Sequence, residues 1–199
     1  KQRAVVQNEK RQGDNNPYGL TRYALSEGMF PVGHPYRHQT IGSMADLDAA
    51  SITDVRKWFI DNYGPNNVVL VLAGDIDAAT AKPMERWFGA IPRGAAIAQQ
   101  AAGPVTLTAP VRETTVDQVP VTRIMRNWTG PALTDADAIP LTAGLYVLGG
   151  LASSRLDNVL VRDEQLAVSV TASVQQHEQL SFLQAMMDVK PGVDVAAAE

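Results

Sequence analysis

Six consecutive apolar residues, 68–73 (Val-Val-Leu-Val-Leu-Ala), lie between the turn residues 63–67 and the pair Gly74-Asp75. An unbroken apolar run predicts a strand that is buried on both faces, because a half-exposed strand alternates apolar and polar residues. Such a strand needs other strands beside it. The first hundred residues predict several helices but no second clear strand, so the pattern indicates part of a sheet.

Helical spacing predicts two helices before this run, at residues 2–13 and 18–30, with the interruption Gly-Asp-Asn-Asn-Pro at 13–17. Ser51 and Asp54 are the ends of a capping box, in which each side chain bonds to the backbone N–H of the other residue. We expect the helix that follows this box to bury Ile52, Val55 and Phe59, with Trp58 as a further candidate for the buried face.

Two further predicted helices contain an internal proline. Asp77 can cap the first, which runs to Phe88 and contains Pro83. A second capping box at 134–137 opens the other, which contains Pro140 and runs to about residue 148. An interior proline costs about 3 kcal/mol in a regular helix, so we expect a kink or a displaced start at each.

The hydrophobic period changes from helical to two in the second part of the chain. Alternation predicts four strands, at residues 112–117, 121–128, 166–175 and 181–189, with a hairpin loop at 176–179. A short helix is predicted near 153–161, and Asp194 caps a last one. With one strand in the first part and four in the second, the pattern indicates the second half of one α/β domain followed by the first half of another. We therefore predict an α+β fold class with α/β-like layers.

Composition narrows the function classes. The chain has 199 residues, 45% of them hydrophobic, and a formal net charge of −4, so it has material for a core and no basic surface for nucleic acid. No apolar run approaches the length of a membrane span. The absence of cysteine excludes thiolate metal sites and disulfides, and fits a periplasmic or secreted location as well as a cytoplasmic one. Lys1 falls inside a predicted helix, so we interpret the chain as an internal part of a longer protein.

Few residues suggest chemistry on their own. His34 and His38 have the spacing of metal ligands on one helical face, but Pro35 disfavours a helix there, so loop histidines that pack or hydrogen-bond are expected. His177 falls at the predicted hairpin tip and is expected in solvent. Glu9, by chemistry alone, is an exposed carboxylate on a helix.

A set of short motifs, taken in order, resembles the inverzincin zinc peptidases, the family of insulinase, pitrilysin and mitochondrial processing peptidase, and its short bacterial two-subunit members. The motifs are residues 2–12 (Gln-Arg-Ala-Val-Val-Gln-Asn-Glu-Lys-Arg-Gln), 17–19 (Pro-Tyr-Gly), 34–36 (His-Pro-Tyr), 41–42 with Leu47, Tyr63 with 65–75, 87–92, 148–150, 153–156, 162–167 and 190–192. The resemblance implies halves of two homologous metallohydrolase domains, each a mostly antiparallel sheet packed against helices, at 1–93 and 112–199, with a linker at 94–111.

The resemblance also implies a zinc site in the parent protein. The family places two histidines and a general-base glutamate in a His-x-x-Glu-His helix, and a third zinc ligand, a glutamate, on a later helix. That glutamate matches Glu9, and a supporting position seven residues earlier matches Gln2. The His-x-x-Glu-His motif is absent here and is expected ahead of Lys1. We therefore expect Zn²⁺ and peptide hydrolysis in the parent, and neither in these 199 residues alone.

A second family feature is only half present. Members often carry an arginine and a later tyrosine that hold the substrate peptide; Arg162 matches the arginine, whereas the tyrosine position falls at Val168. The resemblance thus implies the zinc-bearing subunit of a pair, with a homologous partner subunit and a peptide substrate. Two alternatives stay open, namely a non-catalytic scaffold or partner subunit of the same family, and an unrelated α/β binding module.

Overall fold

The computed structural model of the chain describes residues 2–103 and 105–199, apart from the side chains of Ala78, Thr80 and Ala81. The chain forms two compact units, one built from Lys1–Gly42 together with Ala101–Glu199, the other from Ser43–Gln100. We call them the core unit and the middle unit. The predicted boundaries at 93/94 and 111/112 separate homologous halves rather than compact units, and they stay predictions.

Both predicted N-terminal helices form. Helix α1 spans Gln2–Asp14 and α2 spans Thr21–Met29. The second helix begins later than predicted because Tyr18 has a left-handed backbone with φ of 62°, which a helix cannot contain. It ends where Phe30 becomes extended, and a 3₁₀ turn follows at Pro35–Arg37.

A three-stranded antiparallel sheet is the centre of the core unit. Its strands are β1 (Arg123–Gly130), β2 (Ala167–Gln176) and β3 (Ser181–Val189), in the order β1-β3-β2. Ala185 on the central strand faces Arg126 on one side and Ala172 on the other. The alternating pattern predicted these three strands, and the α+β fold class is confirmed.

Helical segments pack on β2. Helix α6 (Ala138–Leu145) continues into a π-helical turn at Tyr146–Gly150, and a second π-helical segment covers Asp157–Asp163. Gly149 is buried, and a Cβ added to it would lie 2.7 Å from the backbone nitrogen of Ala172. Glycine at this position therefore lets the turn approach the strand backbone directly.

The capping box predicted for α6 does not form. Asp137 has a helical backbone and makes no side-chain capping bond; instead its N–H donates to the carboxylate of Asp135 over 3.0 Å. The prediction was wrong because residues 134–137 fold as successive turns. Since the helix begins at Ala138, Pro140 lies in the first turn, where an N–H has no intrahelical partner to lose.

Two apolar clusters stabilise the core unit. The first comprises Ala167, Val170, Met187, Val189 and Ala198, the last from α7 (Val195–Ala198), which Asp194 caps as predicted. The second comprises Met29, Phe30 and Leu180, and it joins α2 to the β2–β3 hairpin. Helix α2 and the sheet therefore share a core.

The middle unit is helical and open. It contains α3 (Met44–Ala49), α4 (Ile52–Asn62), a 3₁₀ turn at Pro65–Asn67 and α5 (Ala78–Phe88), which continues through Pro83. The capping box of α4 forms as predicted, with both reciprocal bonds present. None of the side chains described in this unit is buried.

Several predictions of strands and buried faces were wrong. Residues 68–73 form no strand, and Val69 and Val71 are 88% and 77% exposed. The face of α4 predicted to be buried is exposed, as Phe59 at 58% illustrates. Residues 112–117 also form no strand. Neither of the two predicted strands pairs with a described strand, and a strand cannot form without a partner for its N–H and C=O groups.

Within the described parts of the chain, no helix combines the length and the apolar character needed to cross a bilayer.

Candidate functional site

Helix α1 presents Glu9 to solvent. The Glu9 side chain is exposed, and within the described residues its carboxylate makes no hydrogen bond or ion pair. Gln2 is also exposed, on the same helix. Seven residues at about 100° each amount to nearly two full turns, so Gln2 and Glu9 share a face. An unpaired carboxylate on a helical face can accept a metal or a hydrogen-bond donor.

A polar network beside Glu9 ties α1 to α2. Lys10 donates to Asp14 over 2.9 Å and to the hydroxyl of Tyr23 over 2.5 Å. Arg22 donates to the same two groups, over 2.5 Å and 2.9 Å. The Tyr23 hydroxyl donates in turn to Asp14 over 2.7 Å. One hydroxyl thus makes one donated and two accepted bonds, which is its full capacity.

The electrostatics of this network keep Lys10, Asp14 and Arg22 charged. The hydrogen bond to Tyr23 is the main cause of a raised pKa for Lys10, against the opposing effect of burial. Burial would raise the pKa of Asp14, but hydrogen bonds from Lys10 and Tyr23 and the charges of Lys10 and Arg22 outweigh it and lower that pKa. With two cations and one anion, the network has a net positive charge next to Glu9.

An open cavity of about 270 Å³ lies between Glu9 and this network. It is lined by Glu9, Lys10, Gly13, Arg22, Gln39, Thr40 and Ile41. The Gln39 amide donates to the carbonyl of Arg22 and to the hydroxyl of Ser26, both over 3.1 Å. The Nε of Arg22 is buried without a hydrogen-bond partner among the described residues. The cavity wall is therefore set by α1, α2 and the segment that follows them.

The described residues do not make a zinc site by themselves. No group of three or more His, Asp or Glu side chains that could hold a metal occurs within 2–103 and 105–199. Zinc sites need three protein ligands and an open position, and Glu9 supplies one carboxylate. No catalytic step through a metal follows from these residues.

His34 is engaged in local structure. Its Nδ1 accepts the N–H of Tyr36 over 3.2 Å, and its Nε2 lies 3.3 Å from the carbonyl of Gly103. Since a carbonyl can only accept, Nε2 carries the proton, and both ring nitrogens are occupied. His38 is exposed beyond the 3₁₀ turn. The two histidines do not lie on one helix, in line with the loop interpretation.

His177 is not free in solvent as predicted. Its ring lies 5.2 Å from that of Tyr36 and 5.3 Å from that of Phe182, and it is half-buried. The prediction was wrong because the hairpin loop folds back onto the loop after α2. With Phe30 and His34, these rings form an aromatic cluster that sequence spacing alone did not indicate.

Arg162 is held by its own segment. Its Nε donates to the carboxylate of Asp157 over 2.8 Å, and its Nη2 donates to the carbonyl of Ala152. The side chain is nevertheless 58% exposed, so part of the guanidinium faces solvent. Val168, at the predicted tyrosine position, is 55% exposed on β2. The substrate-binding role of Arg162 stays a prediction.

Tyr18 connects the helix pair to the sheet. Its hydroxyl donates to the carbonyl of Val121 over 2.7 Å, and the guanidinium of Arg123 lies 3.8 Å from its ring centroid. Arg123 also makes two bonds to Asp188, over 2.7 Å and 3.1 Å, which lower the pKa of that carboxyl. The chain segment that presents Glu9 is therefore attached to β1 and β3.

Comparison with known proteins identifies the family of this chain. A family model described as the peptidase M16 inactive domain matches residues 49–199. The chain belongs to the peptidase M16 family, which confirms the resemblance found in the sequence motifs. The matched range begins after Glu9 and covers most of the middle unit and the whole sheet.

Individual relatives agree with this assignment. The zinc protease PqqE of Helicobacter pylori is 31% identical over 78 residues, which are 39% of this chain and 17% of that protein. The structure of a protease from Helicobacter pylori superposes with a TM-score of 0.76 at 23% identity, covering 98% of this chain and 48% of the other. The periplasmic protease PqqL of Escherichia coli superposes at 0.67 and 17% identity, covering 95% and 21%.

The chain covers only part of each of these relatives. The chain spans about half the length of the Helicobacter pylori protease structure and about a fifth of PqqL. The structural likeness, at below 25% identity, shows a shared fold.

Proposed function

We infer that this chain is part of a zinc-dependent metallopeptidase of the M16 family and that Glu9 is one of its metal ligands. The observation that carries the proposal is the unpaired, exposed carboxylate of Glu9 on a helix that is otherwise tied down. A buried or ion-paired glutamate would have to be released before it could bind a metal. The name of the PqqE relative supports zinc as that metal.

The remaining zinc ligands and the general base belong, in this proposal, to the His-x-x-Glu-His helix of the parent. Gln2, on the face of Glu9, would orient a ligand or a water by hydrogen bonding without adding charge. Arg162, with its partly solvent-facing guanidinium, would contact the substrate peptide, which would lie as an extended strand along a sheet edge. The 199 residues alone would hold no catalytic zinc and hydrolyse no peptide.

Zinc content and peptidase activity of the full-length parent test this proposal. Glu9→Gln keeps the size of the side chain and removes its charge, so we expect loss of stoichiometric zinc and of peptide hydrolysis. Glu27→Gln, at an exposed carboxylate on α2, is the matched control and should retain both. Undiminished zinc binding in Glu9→Gln would contradict the assignment.

A second candidate function is a non-catalytic scaffold or partner subunit that binds peptides without cleaving them. The description of the matching family model as an inactive domain favours it. In that case the purified parent would contain no zinc while still binding peptides. The same zinc measurement therefore separates the two candidates.

The proposed setting is a bacterial periplasm or the cell exterior, with a homologous partner subunit. The name of PqqL supports the compartment, and the absence of cysteine is consistent with it. Co-expression of the parent with the product of its neighbouring gene should give a complex more active than either chain. Full activity of the parent alone would exclude an obligate pair.

A further inference from the structure

Helix α1 has little of the apolar packing that usually fixes a helix. Its one buried residue among Gln2–Asp14 is Lys10, which is 8% exposed. Ala4 is exposed, Val5 is 59% exposed and Val6 is half-buried. A surface helix is normally oriented by an apolar stripe that faces the core. With so narrow an apolar contact, the rotation of α1 about its own axis must be set mainly by polar contacts.

Those contacts concentrate on one hydroxyl group. Tyr23 accepts from Lys10 and Arg22 and donates to Asp14, so it joins Lys10 and Asp14 of α1 to α2. Lys10 and Asp14 lie one turn apart on the same face of α1. Two anchors on one face fix both the rotation and the tilt of the helix.

Glu9 is the direct neighbour of the first anchor. Adjacent helical residues differ by about 100° in direction, so fixing Lys10 also fixes the direction of Glu9. Glu9 itself has no partner among the described residues that could orient it. The network, which begins at the next residue, is therefore the nearest described contact that fixes its direction.

We propose that Tyr23 is a positioning residue, whose hydroxyl holds α1 through Lys10 and Asp14 in the rotation that directs Glu9 toward a bound metal. The proposal rests on the proposed function only where it names the metal. The part that concerns the helix can be tested on these 199 residues without any metal.

A distance measurement tests the helix directly. The chain contains no cysteine, so Ala4→Cys on α1 and Ser173→Cys on β2, both exposed, allow two spin labels without background. We expect one narrow distance distribution, which Tyr23→Phe broadens or shifts. Tyr146→Phe, at a 56% exposed tyrosine of the same unit, should leave it unchanged. An unchanged distribution in Tyr23→Phe overturns the proposal.

A second variant distinguishes a change in the position of α1 from a general loss of folding. Lys10→Met keeps the length and the apolar stem of the side chain and removes the donor, so it should reproduce the shift. Circular dichroism and amide protection of β3 should stay at the level of the unsubstituted chain in both variants. If the shift appears only together with loss of β3 protection, Tyr23 supports the fold in general and the positioning role is wrong.

Zinc affinity of the full-length parent separates the two proposals. Tyr23→Phe should weaken zinc binding about 10- to 100-fold, the usual effect of groups that orient a metal ligand. If Glu9→Gln abolishes zinc binding while Tyr23→Phe leaves it within twofold, the positioning role is wrong. If neither variant changes zinc binding, Glu9 is not a zinc ligand and the proposed function is wrong. The spin-label measurement then decides on its own whether Tyr23 fixes the rotation of α1.

Discussion

The core unit and the middle unit have similarly apolar segments but only one of them has an interior. In the core unit, Phe30 and Leu180 are 2% and 0% exposed. In the middle unit, Trp58 and Phe59 on α4 are 59% and 58% exposed, and no described side chain is buried. Apolar sequence alone therefore does not produce a core; an opposing layer must be present.

The difference lies in strand pairing. Residues 68–73 are more uniformly apolar than β3, yet β3 forms because β1 and β2 flank it on both sides. Strands on both sides supply hydrogen-bond partners for the N–H and C=O groups of the central strand. They also place their own side chains next to those of the central strand on each face of the sheet. Within the described parts of the chain, residues 68–73 have no paired strand on either side.

Matched aromatic deletions give the largest expected contrast. Phe30→Ala should lower the free energy of unfolding of the core unit by about 3–5 kcal/mol, because it removes a fully buried ring that contacts Phe182 and Tyr36. Phe59→Ala in the middle unit should change it by less than about 0.5 kcal/mol, as at other exposed sites. Urea unfolding, monitored by amide hydrogen exchange of β3, measures the free energy of unfolding of the core unit in both variants. Equal effects would mean that Phe59 is buried in solution.

Matched ion pairs should differ by less. Asp188→Ala removes a partly buried carboxylate that accepts two bonds from Arg123, and should cost about 2–3 kcal/mol. Asp61→Ala removes an exposed pair with Lys57 on α4 and should cost less than about 0.5 kcal/mol. Chemical denaturation of the two variants side by side provides the measurement. A cost near zero for Asp188→Ala would show that the pair adds nothing to the sheet.

Two glycines should respond in opposite directions. Gly149→Ala should destabilise the core unit by about 1–3 kcal/mol, because the added methyl group meets the backbone of Ala172. Gly144→Ala lies in α6, where no heavy atom outside the helix comes within 4 Å of the place that the new methyl group would take. This second change should stabilise the helix by about 0.5–1 kcal/mol. Thermal unfolding distinguishes the signs, and destabilisation by both would contradict the open space at Gly144.

Acid should weaken the core unit through two carboxyls. The pKa values of Asp14 and Asp188 are lowered in the folded chain, so their stabilisation is present above the unfolded pKa and is lost as the pH falls below about 4. The double variant Asp14→Asn, Asp188→Asn should therefore show a flatter dependence of stability between about pH 5 and about pH 2. An identical slope in the double variant and the unsubstituted chain would contradict these shifts.

Local sequence rules predicted elements whose determinants are local. The Ser51–Asp54 capping box forms, because its two reciprocal bonds need only four consecutive residues. The box expected at Thr134–Asp137 fails, since the same residue types also favour turns and Asp135 takes the N–H of Asp137. The alternation in β2 and β3 was sufficient because each strand is the other's neighbour through a short loop.

Non-local features could not be predicted from the sequence pattern. The motif at residues 2–12 predicts Glu9 as a metal ligand. The network that we propose to orient Glu9, however, joins Lys10 to Tyr23 across thirteen positions. Neither residue type indicates which partner it will have. His177 was expected in solvent because its contacts with Tyr36 come from the opposite end of the chain. Spacing rules describe one element at a time and contain no information about which elements meet.

The Tyr18 contact has a consequence for how the protein is made. Its hydroxyl bonds to a carbonyl 103 positions later, and the arginine beneath its ring is held by Asp188. During synthesis α1 and α2 leave the ribosome long before either group exists. These two helices cannot complete their contacts with the sheet until β3 emerges, so their placement is finished only after a segment that is translated much later.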